Sequence, residues 1–139
     1  MVSGFDPNSA VARRFFGAWR YVGSTIDGKP HPARGPNPKG IIIYDPSGYM
    51  AAQVVPDMAR TKSGQEPTPE EAKNALVGLI GYFGPYTIDE QARTVTHHRQ
   101  ATVQPGEGGD VVRGYEFVGD RLILRPVGRA HEVIWERIK

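Results

Sequence analysis

The sequence predicts an all-β fold, an antiparallel sandwich or barrel of about eight strands, and three observations lead there. Glycine and proline supply 17 and 12 of the 139 residues, well above average usage, and they cut the chain into short pieces. The pieces are rich in β-branched and aromatic residues, the composition of strands joined by turns. One segment alone carries a long helical period. So many breakers exclude a long helical bundle, and an apolar content ordinary for a globular chain argues against disorder. The length suits one domain covering residues 1–139.

A short helix is expected first, over Ser9–Phe16, where Val11, Ala12, Phe15 and Phe16 share a face. Strands are expected at Ala18–Ser24, Gly40–Tyr44 and Tyr49–Val55. The proline-rich loop Gly28–Gly40 and the turn Asp45-Pro46-Ser47-Gly48 separate them. Thr68-Pro69-Glu70-Glu71 then predicts an inserted helix over 69–82. Thr68 is the N-cap, Pro69 sits at the first helical position, and Glu71 occupies the capping-box position. Ala72, Leu76, Leu79, Ile80 and Phe83 follow at helical spacing, weakened by Gly78 and Gly81. The remaining strands are expected at Tyr86–Asp89, Thr94–Val103, Val111–Val118, Arg121–Arg125 and Glu132–Ile138.

Composition also narrows the function classes. The net charge is +2, and no run of Lys and Arg exceeds two residues, which gives little support to nucleic-acid binding. The absence of cysteine excludes disulfides, thiolate metal sites and a cysteine nucleophile. Met1-Val2-Ser3-Gly4-Phe5-Asp6 lacks the basic head and apolar stretch of a signal peptide. The longest mainly apolar stretch, Ala75 to Gly84, is far too short to span a membrane. A cytoplasmic protein without membrane partners is the expectation. Gly-x-Ser-x-Gly, Walker and dinucleotide motifs are absent.

Strand alternation assigns the faces. Trp19 goes with Tyr21, Ile42 with Tyr44, and Tyr86 with Ile88. Val95, His97 and Arg99 stand together, as do Arg113, Tyr115 and Phe117, Leu122 and Leu124, and Val133, Trp135 and Arg137. If the large apolar members point inward, the interior also receives two or more arginines, a histidine and several tyrosines. A sealed core does not tolerate that polarity. An eight-stranded barrel holding one small ligand does. Glu116, Glu132 and Glu136 fall on the outward parity, so an inward Arg113 lacks a carboxylate partner. His97 and His98 point to opposite faces and cannot ligate one metal together, so no metal site is expected.

Several segments in this order resemble a known family. Gly17-Ala18-Trp19-Arg20 matches the Gly-x-Trp opening of lipocalins. Tyr44-Asp45, Gly48-Tyr49-Met50, Thr68-Pro69-Glu70-Glu71, and Tyr82-Phe83-Gly84-Pro85-Tyr86-Thr87-Ile88-Asp89 follow. Thr94-Val95-Thr96-His97-His98, Gly119-Asp120-Arg121-Leu122 and Trp135-Glu136-Arg137 complete the series. Together they are similar to the small bacterial and fungal lipocalin-like domain family, over almost the whole chain. Two departures are Arg99, where the family tends to be apolar, and a longer proline-rich loop before Gly40.

The resemblance implies a closed antiparallel β-barrel of about eight to ten strands with the inserted helix and a short N-terminal helix. It implies that Arg137 stacks across Trp19 as a plug at one barrel end. The expected function is binding of one small hydrophobic or aromatic molecule that carries a polar or acidic group. Tyr21, Ile42, Tyr44, Tyr86, Ile88, Phe117 and Trp135 form the expected wall, and His97, Arg99, Arg113 and Tyr115 the polar contacts. An alternative is a cofactor-independent cyclase or isomerase, with His97 transferring a proton and Arg113 or Tyr115 stabilising an oxyanion. A third is a filled, purely structural barrel. The inserted helix is expected to cap the barrel, and the outer face leaves room for a second copy in a homodimer. No cofactor is expected.

Overall fold

The computed structural model describes residues 5–58 and 60–139; the reading of Met1 to Gly4 lies outside them. Helix α1 (Ala10–Phe15) is followed by β1 (Gly17–Ile26), β2 (Lys29–Pro30), β3 (Lys39–Tyr44) and β4 (Tyr49–Val55). Then come α2 (Pro69–Leu76), β5 (Ile80–Asp89), β6 (Thr94–Arg99), β7 (Ala101–Thr102), β8 (Gly109–Val118), β9 (Arg121–Pro126) and β10 (His131–Arg137). The strands run in the order β10-β9-β8-β6-β5-β4-β3-β1, and β1 pairs with β10. That last ladder closes an antiparallel barrel of eight strands. β2 extends the edge of β1, and β7 pairs with β5.

Three expected boundaries change. The inserted helix stops at Leu76 instead of reaching Tyr82. Its capping box is present, with the Thr68 side chain accepting from Glu71 N–H and the Glu71 carboxylate accepting from Thr68 N–H. The stop comes from Gly78, which takes a left-handed φ of 73°. A Cβ there would lie 2.1 Å from the Ala33 carbonyl oxygen, so only glycine lets this turn seat against the proline-rich loop. The apolar spacing that suggested a longer helix breaks apart after Leu76. Ile80 and Tyr82 instead extend β5 back from Tyr86, and Phe83 points outward.

The run Thr94–Val103 divides into β6 and β7 around a bend at Gln100. The bend needs β5 to come close. At Gly84 an added Cβ would sit 1.9 Å from the His98 carbonyl oxygen, so the two backbones touch only because Gly84 has no side chain. Finally, β1 carries a bulge between Tyr21 and Gly23, which resets its alternation so that Ser24 is buried after Tyr21.

Chain direction sorts the connections onto two ends. α1 and the turns 45–48, 90–93 and 119–120 lie at one end. The long loops 31–38 and 56–68, α2, the segment 100–108 and the turn 127–130 lie at the other. The first end is closed. Phe15 is fully buried and meets Tyr44, Tyr115 and Phe117 edge-on at 5.1, 5.1 and 5.0 Å. Arg137 holds its guanidinium 4.0 Å from the Trp19 ring centre. It also donates to the Phe16 and Arg14 carbonyls at 2.7 and 2.6 Å. The Trp19 indole N–H donates to the Phe15 carbonyl at 2.8 Å. Helix, tryptophan and arginine thus plug one mouth.

Candidate functional site

The other mouth is open, and its side chains come from four elements. Arg34 arrives on the proline-rich loop, Leu76 and Leu79 at and just beyond the end of α2, Ile80 and Tyr82 on β5, and Arg113 on β8. With Ala33, Arg99, Thr102, Gln104 and Glu107 they line a cavity of about 460 Å³, within the usual range for small-molecule sites. Its walls are held from behind. The Gln104 amide donates to the Leu76 and Leu79 carbonyls at 2.6 and 3.0 Å, which uses the exposed carbonyls at the helix C-terminus. Arg34 donates to the Gly78 carbonyl at 3.1 Å. Loop, helix and β5 are therefore tied into one rim.

The two cavity arginines from the strands differ. Arg99 is committed: it donates to the Gly109 and Gly108 carbonyls at 3.1 and 2.7 Å, and lies 3.6 Å from the Glu107 carboxylate. Its guanidinium also stands 5.6 Å from the Tyr82 ring centre. Arg113 has no carboxylate within ion-pair distance among the described residues. The inward parity explains this, since Glu116, Glu132 and Glu136 pair outside with Arg125, Arg20 and Arg121.

Beneath the cavity sits His97, 1% exposed. Tyr44 Oη lies 2.6 Å from its Nε2 and Tyr82 Oη 2.8 Å from its Nδ1. One ring nitrogen accepts from a phenol and the other donates to one. Burial, and then the Arg113 charge, push its pKa down to about 3, so the imidazole is neutral near pH 7. Burial likewise raises the pKa of Tyr44 and Tyr82, and the Arg113 charge opposes both shifts. This triad positions two tyrosines. Both ring nitrogens of His97 are thus engaged by tyrosine hydroxyls.

His98 points outward, between Thr87 and Asp110. Among the described residues no cluster of His, Asp and Glu is arranged to hold a metal ion. No helix among them is long and apolar enough to cross a membrane.

The structure separates the expected ligand contacts by height. Arg99 and Arg113 line the cavity. Tyr44, His97, Tyr21 and Trp135 are buried in the lumen, the last two with rings 5.3 Å apart. Ile42 is buried beside Trp19 in the ladder. Tyr86, Ile88, Tyr115 and Phe117 belong to the closed end instead. Tyr86 packs on Phe5 and donates to the Asp45 carbonyl, and Ile88 lines a small crevice with Phe5 and Ala12. The charges that act on Tyr115 are those of Glu90, Arg93, Asp89 and Arg14, on the closed-end turn and helix. Sequence reasoning missed Arg34, Tyr82, Gln104 and the apolar trio Leu76, Leu79 and Ile80. Tyr82 had a signal, because Ile80, Tyr82, Tyr86 and Ile88 share one strand parity.

Comparison with known proteins agrees with this architecture. A family model described as a lipocalin-like domain matches residues 16–138. A crystal structure of a DUF4847 family protein from Bacteroides vulgatus superposes with a TM-score of 0.52 at 15% identity. The match covers 94% of this chain and 99% of that one, and at such identity it speaks for the fold. No curated protein matches the chain.

Proposed function

Because the chain belongs to the lipocalin-like domain family, we propose that it binds one small, largely hydrophobic molecule with a polar or acidic group at the open mouth of its barrel. The observation that carries this is the open-end cavity of about 460 Å³, which combines an apolar wall with an arginine that lacks a carboxylate. Leu76, Val77, Leu79 and Ile80 would take the apolar part by removing its surface from water. Arg113 and the Tyr82 hydroxyl would orient the polar part. The plugged opposite end suits a receptor with one entrance. Helix α2 on the rim has no buried side chain of its own, which leaves it free to adjust to a ligand.

The test is calorimetric titration with aryl and acyl acids and amides, on the native protein and on Leu79→Trp. The native protein is expected to bind members of the panel in a one-to-one complex. Leu79→Trp fills the cavity and should abolish binding while the circular dichroism spectrum stays native. Unchanged affinity in that variant would place the site elsewhere.

A further inference from the structure

Three buried side-chain atoms among the described residues have no hydrogen-bond partner: Arg34 Nε, His131 Nε2 and Trp135 Nε1. All three belong to the open-end half or to the lumen beneath it. Arg34 lines the cavity, His131 opens β10 at that rim, and Trp135 lies on the same face of β10 four residues on. Arg113 joins them. It projects from β8, separated from β10 by β9 alone, and it is the largest charge acting on His131. Buried polar atoms are nearly always paired, and an unpaired donor costs on the order of 1–3 kcal/mol. Three such atoms on the open-end side of one lumen, together with a cation, Arg113, that has no carboxylate within ion-pair distance among the described residues, describe a place prepared for an acceptor.

Resting on the ligand-binding role proposed above, we infer that the ligand's polar group is a carboxylate, received by Arg113 and the Trp135 indole N–H, with Arg34 and His131 beside it. The donor set selects this class. Arg34 Nε and Trp135 Nε1 can only donate, and Arg113 is a cation. A neutral alcohol or amide would bring a further N–H or O–H among donors and leave the Arg113 charge uncompensated. A phosphate dianion fits less well, because the rim presents α2 by its C-terminal end, the negative end of the helix dipole. It also offers no helix N-terminus to the cavity, where phosphates are usually held. A carboxylate has two acceptor oxygens, one charge and a planar shape that matches a guanidinium.

The two tryptophans provide an internal control. Trp19 already donates its indole N–H to Phe15, whereas that of Trp135 is unpartnered. The experiment titrates nitrogen-15-labelled protein with naphthylacetate and with decanoate, and separately with their primary amides, following both indole N–H resonances. Trp135→Phe assigns the peaks. The acids are expected to bind at least about tenfold more tightly than the amides, the difference between a charge-assisted and a neutral hydrogen-bonded head. They should also move the Trp135 indole proton downfield and leave Trp19 in place. Equal affinity for acid and amide, or acid binding with a stationary Trp135 signal, overturns the carboxylate assignment and leaves the binding function standing. Failure of all four compounds to bind overturns both.

Discussion

At the closed end an arginine, Arg137, lies on Trp19 and spends its N–H groups on two backbone carbonyls. At the open end another, Arg113, faces the lumen with no carboxylate. The tryptophans repeat the contrast: Trp19 donates to Phe15, and Trp135 donates to nothing within the protein. Two ends of one barrel, built from the same residue types, handle polarity in opposite ways. Where every polar group is matched internally, the residues contribute to stability. Where donors are left without acceptors, stability has been conceded and a ligand can repay it.

The comparison breaks most visibly by emptying the closed end. Phe15→Ala removes a fully buried ring from the centre of three edge-on aromatic contacts. It is expected to cost about 3–5 kcal/mol of unfolding free energy in urea titration. Affinity for a bound acid should stay native in the fraction that remains folded. A loss below about 1 kcal/mol would mean that the closed end is not the stabilising half.

A smaller effect tests the His97 triad between the two ends. Burial depresses its folded-state pKa to about 3, from the 6.5 of a free imidazole. The unfolded chain therefore binds a proton below pH 6.5 that the folded chain refuses. Stability should be complete above pH 6.5 and fall as the pH drops toward 3, by about 2 kcal/mol at pH 5 from His97 alone. Burial also lowers the pKa of His31 and His131, so both act with the same sign. Replacing His97 by Gln should remove most of this slope, and an unaltered slope would assign it to other groups.

The same contrast shows what alternation reveals and what it conceals. Parity alone pointed Trp19, Tyr44, His97, Arg113 and Trp135 inward, because a period of two depends on nothing beyond the strand itself. Height along the barrel axis depends on the stagger between strands, which no local pattern encodes. Tyr115 and Arg113, two residues apart on one face, consequently meet different neighbours, Tyr115 the Phe15 ring and Arg113 the cavity. Tyr82 was hidden because apolar residues around Gly78 and Gly81 fit a helical spacing as well as a strand. Arg34 lay in a loop without periodicity, where tertiary contacts alone assign its place.

The most direct test compares thermal unfolding of the native protein and Arg113→Met, each with and without naphthylacetate. Removing an uncompensated cation from a rim should leave the melting temperature of the free protein unchanged or raise it. The acid should then raise the melting temperature of the native protein and not that of the variant. A variant that melts well below the native protein, and is still stabilised by the acid, would show that Arg113 supports the fold and that the open end is not arranged around it.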